Sequence, residues 1–92
     1  MAIDVRIPTI LRGYTDGAKQ VEGTGSTLDE LIADLEQRHA GLRARLIDHG
    51  GLRRFVNVYL NDEDVRFLAG LETPVKDGDT VTVLPAVAGG AA

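Results

Sequence analysis

Apolar positions recur along this chain with two different periods, and the order in which those periods appear lays out the fold. Ile3, Val5 and Ile7 alternate with Asp4 and Arg6, a period of two that predicts a first strand closed by Pro8. Lys19-Gln20-Val21-Glu22 predicts a shorter second strand. The link between them, Arg12 to Ala18, carries Gly13 and an Asp16-Gly17 pair, so the two strands read as an antiparallel hairpin. From Phe55 to Asn61 the period of two returns, with Val56, Val58 and Leu60 on one face and Phe55, Asn57, Tyr59 and Asn61 on the other. The aliphatic face is expected to be the core. Val81 and Val83 then alternate with Thr80 and Thr82 in a last strand, whose pairing Pro85 ends because it has no backbone N–H to donate.

Between the second strand and Phe55 the period lengthens. Leu28, Leu31, Ile32 and Leu35 fall on one helical face, with Asp29, Asp34 and Glu36 away from it. Thr27 and Glu30 have capping-box spacing, the hydroxyl accepting from a first-turn N–H while the carboxylate reaches back, so the helix is predicted to start at Leu28. Arg38 and His39 suit the negative C-terminal end, and Gly41 is the expected stop. Leu42, Leu46 and Ile47 are expected to cover one end of the core without a full second helix, and His49-Gly50-Gly51 reads as a flexible break. Asn61 to Asp64 and Asp77-Gly78-Asp79 read as turns, with Leu68 to Lys76 irregular apart from one short helical turn. Strand, strand, helix, strand, a connection with room for a short strand, and strand: this order predicts an α+β, β-grasp (ubiquitin-like) roll, a mixed sheet covered by one main helix. The domain runs over 1–85 and a tail over 86–92, the tail having no charge, no aromatic and only Val87 as a large aliphatic.

Composition narrows what such a domain can do. Ninety-two residues, 43% of them hydrophobic, supply one core and not two. The absence of Cys removes disulfides, thiolate metal sites and a nucleophilic thiol. A net charge of −4 with only two lysines argues against a nucleic-acid partner, and Arg53-Arg54 reads as a solvated strand entry. The N-terminus alternates apolar and charged residues where a secretory signal would be apolar, and no run reaches membrane-spanning length, so a cytoplasmic protein with no membrane partner is expected.

Candidate chemistry is correspondingly sparse within the domain. Asp62, Glu63 and Asp64 lack the ligand spacing of a calcium loop and read as a solvated turn, with no metal expected. His39 and His49 have no partner at catalytic spacing. Gly23-Thr24-Gly25-Ser26 lacks the Gly-Lys-Ser/Thr ending of a phosphate loop, which leaves any nucleotide to a partner. Two features remain. Tyr59 and Phe55 share a face, Leu84 points away from Val81 and Val83, and with Pro85 they are expected to form an apolar partner interface on the open side of the sheet. Beyond them, Gly89-Gly90 lacks side chains and could thread a narrow channel in another protein.

The strand Val56-Asn57-Val58-Tyr59, the Asp77-Gly78-Asp79 turn and a final strand leading to Gly89-Gly90, in that order, resemble the ubiquitin-like sulfur carriers of the MoaD/ThiS family, most of all its cysteine-biosynthesis branch. The resemblance covers essentially the whole domain. It implies a protein co-substrate rather than an enzyme, with no catalytic residue and no bound cofactor of its own. An adenylating enzyme of the ubiquitin-activating type would use ATP to activate the carboxylate of Gly90, which then becomes a thiocarboxylate that donates sulfur to a synthase. Gly89, Ala88 and Val87 would be the part of the tail recognised. Ala91-Ala92 depart from the pattern, because an amide to Ala91 leaves nothing at Gly90 to adenylate. A protease of the JAMM metalloprotease type would therefore cut between Gly90 and Ala91. The small subunit of a molybdopterin synthase and a ubiquitin-like protein modifier share the same tail chemistry and stand as alternatives, and an interaction module with an idle tail is a fourth.

Overall fold

The computed structural model describes residues 2–54 and 56–85. Strand β1 (Ile3–Arg6) pairs antiparallel with β2 (Gln20–Gly23), placing Val5 opposite Val21. The chain then enters α1 (Leu28–Arg38) and α2 (Leu42–Leu46), and makes a small separate hairpin of β3 (Ile47–Asp48) and β4 (Gly51–Leu52). It returns to the main sheet as β5 (Val56–Leu60), β6 (Glu63–Asp64) and β7 (Thr80–Pro85). The sheet order is β2-β1-β7-β5-β6, so the last strand lies in the middle, parallel to β1 and antiparallel to β5. This is the mixed sheet and β-grasp roll that the order of apolar periods predicts.

The inner face of the sheet and the apolar stripe of α1 form one core. Ile3, Val5, Val21, Val58, Val81 and Val83 from the strands meet Leu28, Leu31, Ile32 and Leu35 from the helix, all of them buried. Cross-strand pairing lines the valines up: Val5 lies opposite Val81, and Val58 opposite Val83. Val56 and Leu60 are only partly buried and pack against the edge of this cluster.

Helix α1 starts where the capping box puts it, with Thr27 Oγ1 accepting from the Glu30 N–H at 3.2 Å. The reciprocal bond shifts by one residue, since Glu30 Oε1 accepts from the Ser26 N–H at 2.9 Å rather than from Thr27. Asp34 reaches back to the Thr24 N–H at 3.0 Å, and the Leu28 N–H donates to the Thr73 carbonyl at 2.9 Å. The Gly23–Ser26 stretch is therefore a strap over the start of the helix and not a ligand loop. Gly25 makes the strap possible: a Cβ there would lie 2.7 Å from the Leu31 nitrogen and 3.0 Å from the Glu30 carbonyl carbon, both backbone atoms that cannot move aside.

Two expectations change. The helix ends at Arg38 with His39 as its C-cap, and Gly41 instead opens a real second helix, α2, whose Leu42 and Leu46 are buried. The Glu36 carboxylate organises that junction by accepting from the N–H groups of Gly41 and Arg43. His49-Gly50 is not a flexible break but a two-residue hairpin turn, both residues having left-handed φ (52° and 81°). Arg53 and Arg54 are exposed just before β5, as expected of a solvated strand entry, and Arg53 is also bonded: its Nε donates to the Ala44 carbonyl at 2.8 Å and its guanidinium lies 3.5 Å from Asp48. Leu68 to Lys76 holds one short 3-10 turn, Gly70–Glu72, as expected, and a second, Val65–Phe67, precedes that stretch.

Replacing Gly25 by Ala should cost about 2 kcal/mol of unfolding free energy in urea titrations, because the new methyl meets backbone. Gly13→Ala, with open space at its Cβ position, should leave the urea midpoint unchanged. A second outcome concerns acid. The N–H groups of Gly41 and then Arg43 hold the Glu36 pKa below the ordinary carboxylate value of 4.5. A carboxyl depressed in the folded state contributes its stability above the unfolded pKa and loses it as pH falls through the folded pKa. The Tm difference between the wild type and Glu36→Gln, small because the group is exposed, should therefore be present at neutral pH and close as pH falls through the carboxylate range.

Candidate functional site

Strand β7 ends at Pro85, which still pairs with Val56 before the chain runs on. A tail attached here follows a central strand that is paired with β1 over Thr80–Thr82 and with β5 from Val81 to Pro85, so that β5 alone holds the last three residues before the exit. On the open face, away from the helix, Leu84 lies opposite Asn57 and Tyr59 opposite Thr82, so Leu84 and Tyr59 are diagonal neighbours. Leu84 is 44% exposed, Pro85 is exposed, and Tyr59 is half-buried with Asp64 opposite it on its other side. Phe55 and the tail residues Val87, Ala88, Gly89, Gly90 and Ala91 lie outside the described residues.

The flank of β5 is held by a residue that sequence reasoning passed over. Arg66 donates to Asn57 Oδ1 at 2.7 Å, to the Arg53 carbonyl at 2.7 Å and to the Val56 carbonyl at 2.6 Å. These bonds clamp the segment beside the tail exit to the turn that follows β6. Asp64 aims Arg66 by capping that turn, its Oδ1 accepting from the Arg66 N–H at 2.8 Å. A local sequence signal existed in the Asp64-x-Arg66 spacing, but nothing in it named the distant acceptors.

A second unanticipated feature lies on the other side of β7. Thr9–Tyr14 forms a 3-10 helix that buries Leu11 and leaves Ile10 70% exposed, next to Leu84 and Pro85. The adjacency of two large aliphatics, Ile10-Leu11, was the available clue, since a single turn cannot bury both.

The opposite end of β7 is locked by polar groups. Asn61, with left-handed φ in the β5–β6 turn, donates from Nδ2 to Asp79 Oδ1 at 3.1 Å and accepts at Oδ1 from the Thr80 N–H at 2.9 Å. Asp79 is buried, and its other carboxylate oxygen accepts from the Lys76 N–H at 3.0 Å. The acidic residues of this end serve the turns. Among the described residues no three His, Cys, Asp or Glu side chains are grouped to hold a metal ion. His39 caps α1, and His49, at the hairpin turn, lies 3.2 Å from Asp48. No helix among the described residues is long and apolar enough to cross a membrane.

The geometry is thus a rigid base for a C-terminal extension. The ThiS family matches this chain over residues 5–90. The chain is 56% identical over 93 residues to the sulfur carrier protein CysO of Mycobacterium tuberculosis, covering 98% of this chain and 100% of the relative. It is 42% identical over 65 residues to small archaeal modifier protein 3 of Haloferax volcanii, covering 71% of each. A chain in the crystal structure of the Amycolatopsis orientalis BexX/CysO complex superposes with a TM-score of 0.92 at 63% identity, over 97% of this chain and 100% of that one. With fold and sequence agreeing over nearly its whole length, the chain belongs to the ThiS family and has a β-grasp fold.

Proposed function

We propose that this protein carries sulfur as a thiocarboxylate on Gly90 and delivers it in the synthesis of cysteine or a related thio-metabolite. The observation that carries the reading is the ThiS match extending to residue 90, five residues beyond the point where the central strand ends at Pro85. The name of the Mycobacterium relative, a sulfur carrier, supports it.

The chemistry follows from what a carboxylate lacks. As an anion it is a poor electrophile, so an adenylating enzyme joins the Gly90 carboxylate to the α-phosphorus of ATP and releases pyrophosphate. A sulfur nucleophile then displaces AMP and leaves a C–S bond at the former carboxyl carbon. The resulting thiocarboxylate is an anion at neutral pH and a soft nucleophile, which explains how a chain without Cys handles sulfur. Before any of this, hydrolysis of the Gly90–Ala91 amide must free the carboxylate, the task assigned to a metalloprotease of the JAMM type. The partners are then three: protease, adenylating enzyme and sulfur-accepting synthase. The crystallised BexX/CysO complex of Amycolatopsis orientalis supports a protein partner for a carrier of this kind. The likeness to an archaeal modifier protein favours a second reading, in which activated Gly90 is joined to lysines of other proteins.

Intact-mass measurement of the protein from its native cells under sulfur demand separates these readings. The expected result is a chain ending at Gly90, part of it with one sulfur in place of one oxygen. A chain still ending at Ala92 with no shift, or thiocarboxylated at Ala92, overturns the processed-carrier reading. Lysine-linked adducts on denaturing gels would select the modifier.

A further inference from the structure

Half of the ten Lys and Arg residues of this acidic chain gather at one place. Two grooves meet at the tail exit and share Pro8, Ile10, Val83, Leu84 and Pro85 as their common wall. Arg45 and Arg53 line one groove, Arg6, Arg12 and Lys19 line the other, and neither is lined by an Asp or Glu. The chain has 14 acids against 10 Lys and Arg, so a lining with five cations and no acid runs against its composition.

Nor are these cations occupied in holding the fold by charge. Among the described residues only Arg53 has a carboxylate beside it, Asp48 at 3.5 Å, and that pair is half-exposed. Arg6, Arg12, Lys19 and Arg45 pair with none. Arg45 is nevertheless held in place: its guanidinium lies 5.4 Å over the Tyr14 ring and its Nε donates to the Tyr14 hydroxyl at 2.6 Å. Tyr14 in turn packs on Gly41, where a Cβ would come within 3.1 Å of the ring. Arg12 is likewise steadied by a bond from Nε to the Ile7 carbonyl at 3.2 Å. Arg6 also lines a pocket with Asp62, but like charges gathered around one opening with few counter-charges repel one another, and a partner that brings the opposite sign relieves that repulsion.

We infer that this basic collar, with Ile10 at its centre, is a docking surface for a protein whose tail-accepting channel is rimmed by acidic side chains. The inference rests on the carrier reading and names the chemistry of its partner. The other end of β7, Thr80, follows Asp79 and is bonded to the Asn61-Asp62 turn, so the strand runs from an acidic end to a basic one over about 17 Å. An acidic rim attracts the collar and repels the far end, which turns the tail toward the channel before contact. Exposed Ile10 supplies the apolar anchor that a nucleic-acid phosphate backbone would not use, and the net charge of −4 opposes a long polyanion.

Direct binding of the full-length chain to the adenylating enzyme of the same organism is the test, by calorimetry, with thermal melts confirming that each variant is folded. The double variant Lys19→Glu/Arg45→Glu should raise Kd about tenfold or more, and Arg45→Lys should keep most of the affinity. Wild-type Kd should weaken with added salt, and that of the double variant should not. Ile10→Ser should weaken binding without altering the salt dependence, and Asp62→Lys should not weaken it. Equal affinities for wild type and double variant, or no binding at all, overturn the collar. Tight binding of a labelled single-stranded oligonucleotide, lost in the double variant, overturns it in favour of a nucleic acid. The carrier reading is scored separately, by ATP-dependent pyrophosphate release with the chain ending at Gly90: binding without release sinks that reading and leaves the collar standing.

Discussion

Everything in this molecule depends on β7 being seated between β1 and β5. Its two buried valines complete the core from the middle of the sheet, Val81 against Val5 and Val83 against Val58, and each such burial contributes about 1.5–3 kcal/mol. Because hydrogen bonds run to both neighbours, the strand cannot peel away without opening the sheet and uncovering α1. The strand is thereby held from both sides over Thr80–Thr82 and by β5 from there to Pro85. A tail that leaves from such a strand starts from a fixed position and direction, which is what a partner needs if it is to receive the tail and dock the body together.

The two ends of that strand are built by different means. At its start, Asn61 and Asp79 tie two turns to the first residue of β7 with hydrogen bonds in which every acceptor is used locally. At its finish, cations from β1, the turn after it, α2 and the segment before β5 converge with little local use for their charge. The first arrangement fixes structure. The second leaves electrostatic potential available to another molecule, and Arg66 keeps the β5 side of the exit rigid while it does so.

Much of the frame was legible in the sequence because it is written in local terms. The Thr27–Glu30 spacing located the start of α1, and alternation located β1, β5 and β7, the last of which runs to Pro85 among the described residues. The misses have physical reasons. His49 occupies a left-handed conformation that Asn or Gly adopts more readily, so a tight hairpin looked like a break. Glu63-Asp64 forms a short strand although both residues are poor strand formers, because the Asn61-Asp62 turn folds them back onto Tyr59 and Leu60. The open-face patch was read from alternation alone, which places Leu84 and Tyr59 on one side but says nothing of Arg66 crossing to Asn57 from nine residues away.

The largest gap between sequence and structure concerns charge. A net charge is a sum over the chain, whereas a partner feels the field at one place on the surface. Residues 6, 12, 19, 45 and 53 are scattered over more than half the sequence, and only the crossing of β1 beside β7 and the packing of α2 against the turn after β1 bring them to one opening. Function in such a chain divides accordingly. Under the proposed function, five residues of chain let the Gly90 carboxyl reach up to about 17 Å from Pro85, far enough to enter another protein's interior but with almost no side chain by which to be told apart. Discrimination between partners then has to come from the body around the exit, and charge convergence is a means by which a small, nearly featureless domain can supply it.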